Sequence, residues 1–340
     1  KNWMTRTEDV LSSLSPSTSS MTPPASSCSI NESYKYIFLP ICYSFTFIFS
    51  ITLNSIILYR SFHQAKRWNA SLIYMVNLAS TDFMYGLSLP FLVASYIMRD
   101  CWVFGDFMCR LVRFLFYFNL YCSIFFLTCI SVHRYLGICH PIKVITLETK
   151  KAVKNTCVLV WIVVFALTCP IFRFAQTGYV TRMNCWDDAI DKEFLEYIPY
   201  GIMLHLIGFF LPFSIIAWCY SRVVLTIFKT LNGFRRRKSI RTIITITLLF
   251  ALCFFPFHVT RTIFLLLKVT GKVPCETMTT VSMCYKVTRP LASFNAWLNA
   301  LLYFLTKDKV GIYSLKKRYI FSYSWNITAP KNPYHPFRCR

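Results

Sequence analysis

Charge is what this sequence lacks. Only 15% of its 340 residues are Asp, Glu, Lys or Arg, against roughly 25% in ordinary soluble domains. So few ionised groups cannot cover a soluble surface. With 55% hydrophobic residues and a mean hydropathy of +0.47, the chain calls for lipid as its solvent. Acids are scarcer still, 14 against 37 Lys and Arg, for a net charge of +23. Such an excess could point to nucleic acid, but the bases occur in short clusters between apolar runs, such as Arg235-Arg236-Arg237-Lys238. No basic face is broad enough to follow a phosphate backbone, so a nucleic-acid polymer is not an expected partner. Loops touching anionic membrane lipids account for most of this charge.

Other absences exclude other classes. No Cys and His pairs have zinc-like spacing, and most of the fifteen cysteines lie in apolar runs, where a thiol behaves as a small hydrophobe. Six scattered histidines, at 63, 133, 140, 205, 258 and 335, supply neither a metal site nor a nucleophile-and-base cluster, so no enzyme is expected. Transporters usually show internal repeats and helices interrupted at midplane, and neither is visible. A barrel is excluded because the apolar runs are too long and continuous for alternating strands of about 10 residues. No cleavable signal peptide is visible, and the chain starts at Lys1 without Met, which reads as an incomplete start.

What the chain does have is seven apolar stretches, near residues 36–60, 71–98, 107–138, 155–176, 198–228, 240–267 and 285–306. Each is about long enough to cross a hydrocarbon core of roughly 30 Å. The expected fold is therefore an all-α membrane protein, a seven-transmembrane helix bundle over residues 36–306. Residues 1–35, rich in Ser, Thr and Pro, read as disordered. Residues 307–340 form a tail in which Ile312, Leu315, Tyr319 and Ile320, with Lys316, Lys317 and Arg318, suggest a short amphipathic eighth helix on the membrane.

Loop charge orients the bundle. The loops around Arg60 to Arg67, His140 to Lys154, Lys229 to Arg241 and after Lys307 are basic, whereas acids such as Asp100, Asp106, Asp187, Asp188 and Glu196 lie on the other side. The N-terminus is thus expected outside a plasma membrane and the tail inside. On that orientation Asn31 is a glycosylation acceptor, and the sequons at Asn69 and Asn326 are not. Cysteines in the outer loops that could form bridges are Cys28, Cys101, Cys109, Cys185, Cys275 and Cys284.

Ionisable groups inside apolar runs are costly and are functional candidates. Asp82 is the deepest acid, and Asn54, Ser123, Asn295 and Asn299 lie at similar depths. Together they could ligate a small cation such as sodium, or form a hydrogen-bond network between helices. Near the outer ends, Arg113 is followed by Tyr117 at i+4, His258 by Arg261 at i+3, and Tyr285 by Arg289 at i+4. Three helices each place an arginine beside a ring. They could be interfacial anchors or a funnel for an anion, since guanidinium forks match phosphate and carboxylate oxygens while rings stack on a planar group. Three charge-assisted bonds of about 1.5–3 kcal/mol each would cover much of the roughly 8 kcal/mol of micromolar binding. On the opposite side His133-Arg134-Tyr135 closes the third segment, either as a lipid anchor or as a latch that a partner releases.

At these residues the sequence resembles the rhodopsin-like (class A) G protein-coupled receptors over roughly residues 36–320. The landmarks are Asn54, Leu78 to Asp82, Cys109, His133-Arg134-Tyr135, Trp161, Pro212, Tyr220, Cys253 to Pro256 and Asn299 to Tyr303. Within that class it resembles the metabotropic purinergic nucleotide receptors, especially the uridine-nucleotide-responsive branch, through Phe114 to Pro141, Phe255 to Thr262 and Tyr285 to Ser293.

The resemblance implies a receptor for extracellular uridine or adenine di- and triphosphates. Arg113, Arg261 and Arg289 would take the phosphates, Tyr117, His258 and Tyr285 the base and ribose, and Asp187 would pair with the arginine of segment seven. It implies bridges Cys109–Cys185 and Cys28–Cys275, leaving Cys101 and Cys284 either paired together or free. It assigns coupling to a heterotrimeric G protein, of the phospholipase C (Gq) class, to a face around His133, Arg134, Tyr135, Tyr220, Asn299 and Tyr303. Sodium at Asp82, Ser123, Asn295 and Asn299 is the one implied cofactor. The rival ligand is a small dicarboxylate such as succinate or oxoglutarate, whose receptors keep the three arginines but tend to carry His where this chain has Tyr117. Segment seven has Ala300 where the class usually has Pro, which predicts a weaker kink there and leaves a non-signalling binder as a further alternative.

Overall fold

The computed structural model describes residues 35–63, 68–140, 149–179, 183–186, 194–230, 234–270 and 274–306. Cys28, Asn31, Asp187 and the stretch expected to form an eighth helix lie outside the described residues. Segments one to four are single helices, Lys35–His63, Ala70–Ile97, Gly105–Cys139 and Lys150–Thr168. Segment five runs through Phe194–His205, a π-helical turn Leu206–Phe210, and Leu211–Thr230. Segment six repeats the plan with Phe234–Leu249, a π-helical turn Phe250–Phe254, and Phe255–Thr270. Segment seven comprises Cys275–Ser293 and Asn295–Thr306.

The bundle is built inside out. Ile41, Ile48, Leu159, Ile162, Leu225, Leu252 and Leu266 are exposed on its outer surface, whereas Asn54, Asp82, Asn119, Ser123, His258, Arg261 and Asn299 are buried. That is the partition expected when the outer solvent is hydrocarbon and polar groups must find partners within the protein. Segments one, three, four, five and six are long and apolar enough to span a membrane on length and composition alone. Segments two and seven also bury polar groups, among them Thr81, Asp82 and Ser88 in one and Thr288, Ser293, Asn295 and Asn299 in the other. Segment three is the axis: from Phe116 to Ile124 every residue is buried.

Local chemistry sets the helix ends. Asn69 caps segment two, its side chain accepting from the Leu72 amide at 2.8 Å, and Thr149 caps segment four through the Ala152 amide at 3.2 Å. The sequon at Asn69 is thus used structurally.

Segment seven departs from expectation at two points. Its helix begins at Cys275, not near 285, because Thr, Ser and Glu in its first turns are compatible with helix but invisible to hydropathy. Its break falls at Phe294, whose amide bonds back to Pro290 O at 3.0 Å and Leu291 O at 3.2 Å. Pro290, inside the helix Cys275–Ser293, has no N–H to give to the carbonyl one turn before it. Ala300 lies in regular helix beyond.

A two-stranded hairpin, β1 (Gln176–Tyr179) antiparallel to β2 (Met183–Trp186), covers one end of the bundle. Four-residue strands carry too little pattern to be read from sequence. The Cys109–Cys185 disulfide ties the hairpin to segment three. Asp106 Oδ1 accepts from the Thr177 amide at 2.9 Å, and Trp102 N donates to Met183 O at 2.7 Å. Cys101 and Cys284 are both free thiols, so they do not pair with each other.

The π-helical turn of segment five makes room for a ring of segment three. A Cβ placed on Gly208 would lie 2.5 Å from Tyr121 Cε1, and that ring is fully buried. Gly208→Ala should therefore destabilise the bundle by about 1–3 kcal/mol, as overpacking does. A lower melting temperature of the purified protein in detergent, partly restored by adding Tyr121→Leu, is the expected result; an unchanged one would show that the notch relaxes freely.

Candidate ligand site and its supporting network

The three outer arginines face inward. Arg261 is 0% exposed, Arg113 6% and Arg289 7%, which rules out side chains reaching from helix ends to the membrane interface. Arg261 is the most enclosed. Its Nη1 donates to the Tyr285 hydroxyl and its Nη2 to the Tyr197 hydroxyl. Its Cζ lies 5.5 Å from the Tyr117 ring centroid, 5.6 Å from Tyr197 and 5.1 Å from Tyr285, within cation–π range of all three.

Arg113 is positioned from the hairpin, since its Nη2 donates to Cys185 O at 2.8 Å. The disulfide thus fixes a partner of this arginine as well as the loop. Arg289 rests with Cζ 4.9 Å from the Phe116 ring. Phe116 contacts Tyr117 at 5.0 Å and Phe257 at 5.6 Å between centroids. Tyr285 stacks on Phe264 at 5.6 Å. Aromatic packing therefore joins the surroundings of Arg261 and Arg289 into one cluster built from segments three, six and seven. His258 lies one turn deeper, its ring stacked on Phe209 at 4.1 Å and its Nδ1 2.8 Å from Phe254 O.

Tyr197 belongs to this cluster although hydropathy starts segment five only at 198. The available signal was a tyrosine pair, Tyr197 and Tyr200, sharing a helix face at i+3.

Midway through the bundle, Asp82 is fully buried. Asn119 Nδ2 donates to its Oδ1 at 2.6 Å, and Asn299 Nδ2 lies 3.1 Å from its Oδ2 and 3.1 Å from Ser123 Oγ. Asn54 joins segment one to Ala296 O at 2.8 Å and to Ser50 O at 2.9 Å. Asp82, Ser123 and Asn299 therefore converge as expected. Asn295 is buried but makes no side-chain hydrogen bond among the described residues, so it is not bonded into this cluster. Asn119 was overlooked, although an amide between Phe118 and Leu120 is the kind of polar group that an apolar run carries for a reason.

At the end opposite the hairpin, the Tyr220 hydroxyl lies 2.7 Å from Ser131 Oγ. Tyr135 packs on Trp218 at 4.9 Å and its hydroxyl lies 3.1 Å from His140 Nε2. His133 meets the Tyr74 ring edge-on at 6.4 Å, Arg134 is half-buried, and Tyr303 is buried. These contacts join the ends of segments two, three and five that lie opposite the hairpin.

This arrangement defines a polytopic membrane receptor with two buried polar centres and, among the described residues, no catalytic constellation. The family model described as 7 transmembrane receptor (rhodopsin family) matches residues 53–303. The Y-type purinoceptor 3 of Gallus gallus is 41% identical over 293 residues, covering 83% of this chain and 89% of the relative. The Y-type purinoceptor 4 of Rattus norvegicus is 41% identical over 312 residues, covering 90% and 85%. The Y-type purinoceptor 2 of Homo sapiens is 41% identical over 290 residues, covering 83% and 77%. The chain belongs to the rhodopsin family of seven-transmembrane receptors and, within it, to the Y-type purinoceptors.

Tyr197→Phe and Tyr285→Phe each remove one phenol from Arg261. Hydrogen bonds to charged groups contribute about 1.5–3 kcal/mol, so each variant should melt at a lower temperature than the wild type in detergent. Unchanged melting in both would show that these contacts do not hold the guanidinium.

Proposed function

We propose that this chain is a plasma-membrane receptor for extracellular nucleotides, with its N-terminus outside, that signals through a heterotrimeric G protein. The observation that carries the reading is Arg261, wholly buried among the rings of Tyr117, Tyr197 and Tyr285. A guanidinium so placed offers a polyanion a fork of donors in a medium that strengthens the attraction, and the rings beside it offer faces for a base. Arg113 and Arg289 complete a cationic set for the phosphates, with Tyr117, Tyr285 and His258 toward the base and ribose. Asp187 lies outside the described residues, and its part as a partner of Arg289 is proposed from the family resemblance. The purinoceptor names of the relatives favour a nucleotide over a dicarboxylate.

Ligand binding across segments three, six and seven favours whichever bundle conformation contacts the ligand best; it is a population shift and needs that preference. The face that meets the G protein is assigned to His133, Arg134, Tyr135 and Tyr220, with Asn299 and Tyr303 linking it to segment seven. The phospholipase C-coupled (Gq) class is the expected partner.

The Asp82 cluster fits a small hard cation. A buried carboxylate, the Ser123 hydroxyl and the Asn299 Oδ1, which has no hydrogen-bond partner among the described residues, supply oxygen donors. Sodium held there would compensate the buried negative charge and favour the conformation in which these groups converge.

Cells expressing the chain should raise intracellular calcium when given uridine or adenine di- or triphosphates, and not with succinate or oxoglutarate. Arg261→Ala and Arg289→Ala should lower potency about 10- to 150-fold, the equivalent of one charged hydrogen bond, with surface expression kept. Normal potency in the surface-expressed variants would make these arginines structural. Asp82→Asn should abolish any effect of sodium chloride, compared with choline chloride, on nucleotide affinity; a sodium effect that survives would place the cation elsewhere.

A further inference from the structure

One turn below the Arg261–Tyr117 contact, three polar rings from three segments meet. Tyr121 of segment three, His205 of segment five and His258 of segment six are 0%, 4% and 0% exposed. The His258 ring centroid lies 5.3 Å from that of His205 and 5.8 Å from that of Tyr121, both edge-on. Phe209 covers one face of His258, and the glycine notch at Gly208 seats the Tyr121 ring.

The hydrogen bonds assign the protons. Phe254 O, 2.8 Å from His258 Nδ1, can only accept, so Nδ1 carries the hydrogen. Nε2 of the neutral ring is then an acceptor, and it is buried with no hydrogen-bond partner among the described residues. Thr262 Oγ1 donates its single hydrogen to His258 O at 2.7 Å, so it must accept from His205 Nδ1 at 3.2 Å. His205 is therefore the same tautomer, and its Nε2 is a second acceptor without a hydrogen bond among the described residues. The Tyr121 hydroxyl is likewise buried without one.

The His258 Nε2 and the Tyr121 hydroxyl are buried without a hydrogen bond among the described residues, and each such group costs about 1–3 kcal/mol until a ligand or a water meets it. A metal cation is disfavoured by the Arg261 guanidinium one turn away and by the want of a third His, Cys, Asp or Glu among the described residues. Two acceptor nitrogens and a hydroxyl instead suit a neutral group that presents N–H beside an acceptor. That is the edge of a nucleobase: the imide of a uracil or the amino group and ring nitrogen of an adenine. The depth is suitable, because three to four residues along a helix rise about 4.5–6 Å below the guanidinium proposed to take phosphate.

We propose that Tyr121, His205 and His258 form a subsite that binds the N–H edge of the ligand's base, with His205 and Tyr121 as specificity-determining residues. This rests on the nucleotide reading above and adds where and how the base is read. The histidine nitrogens accept from the base N–H and the Tyr121 hydroxyl donates to the adjacent carbonyl oxygen or ring nitrogen.

The test is competition binding on membranes carrying the full chain. It compares uridine and adenosine nucleotides with their N3-methyl and N6,N6-dimethyl counterparts, which lack the N–H. Whichever parent base binds more tightly identifies the source of the N–H, and its methylated form should bind at least tenfold more weakly. His205→Phe and Tyr121→Phe, which keep the rings, should bind parent and methylated forms alike while preserving the preference for more phosphates. His205→Gln, with an amide acceptor, should recover part of the discrimination. Equal binding of parent and methylated nucleotides to the wild type, or full discrimination retained by His205→Phe, would overturn the subsite. Failure of every nucleotide to bind a surface-expressed receptor would instead overturn the nucleotide reading, and this subsite with it.

Discussion

A guanidinium ion held inside a lipid-facing helical bundle is the constraint around which this structure is arranged. Burying such an ion is costly unless its donors find partners, and around Arg261 stand two phenol hydroxyls that accept from Nη1 and Nη2 and three aromatic rings. Those tyrosines come from segments three, five and seven, so one charge fixes the spacing of three helices against segment six. Arg113 extends the arrangement to the hairpin, where Cys185 supplies both the disulfide sulfur and the carbonyl oxygen that receives its Nη2.

Asp82 is the corresponding problem of opposite sign. It is matched by amides from Asn119 and Asn299 rather than by a basic side chain. Between the two centres lie the π-helical turns of segments five and six and the break at Phe294 in segment seven. Irregular helix of this kind shifts the register of one end against the other and often marks functional sites. On the proposed reading, a ligand that draws the hairpin ends of segments three, six and seven together acts on elements already jointed between its site and the face around Arg134.

Much of this was legible in the sequence, because lipid imposes simple rules. Long apolar runs declared the segments, and spacing along each helix named Tyr117, Arg261 and Tyr285, whose contacts run between helices: Arg261 lies near the rings of Tyr117 and Tyr285, and Arg289 near Phe116. Sequence could not choose between interfacial anchors and a buried cluster, since both have the same spacing; burial decides it. Hydropathy located the lipid-immersed part of segment seven and missed the polar turns from Cys275. Tyr197, Asn119, Tyr121 and His205 were overlooked because each is polar on one helix while its partners stand on others, and such meetings depend on tertiary packing. The break at Phe294 was hidden because the class usually bends at the position of Ala300, whereas here the helix pauses six residues earlier.

On the proposed function, the buried arginine cluster receives the negative charge of the ligand. Affinity of the purified receptor for a series running from nucleoside to mono-, di- and triphosphate tests it most directly, in the wild type and in Arg261→Gln. Affinity should rise with phosphate number in the wild type, and the rise should be largely lost in the variant. A nucleoside that binds as tightly as its triphosphate, or an undiminished rise in Arg261→Gln, would contradict it.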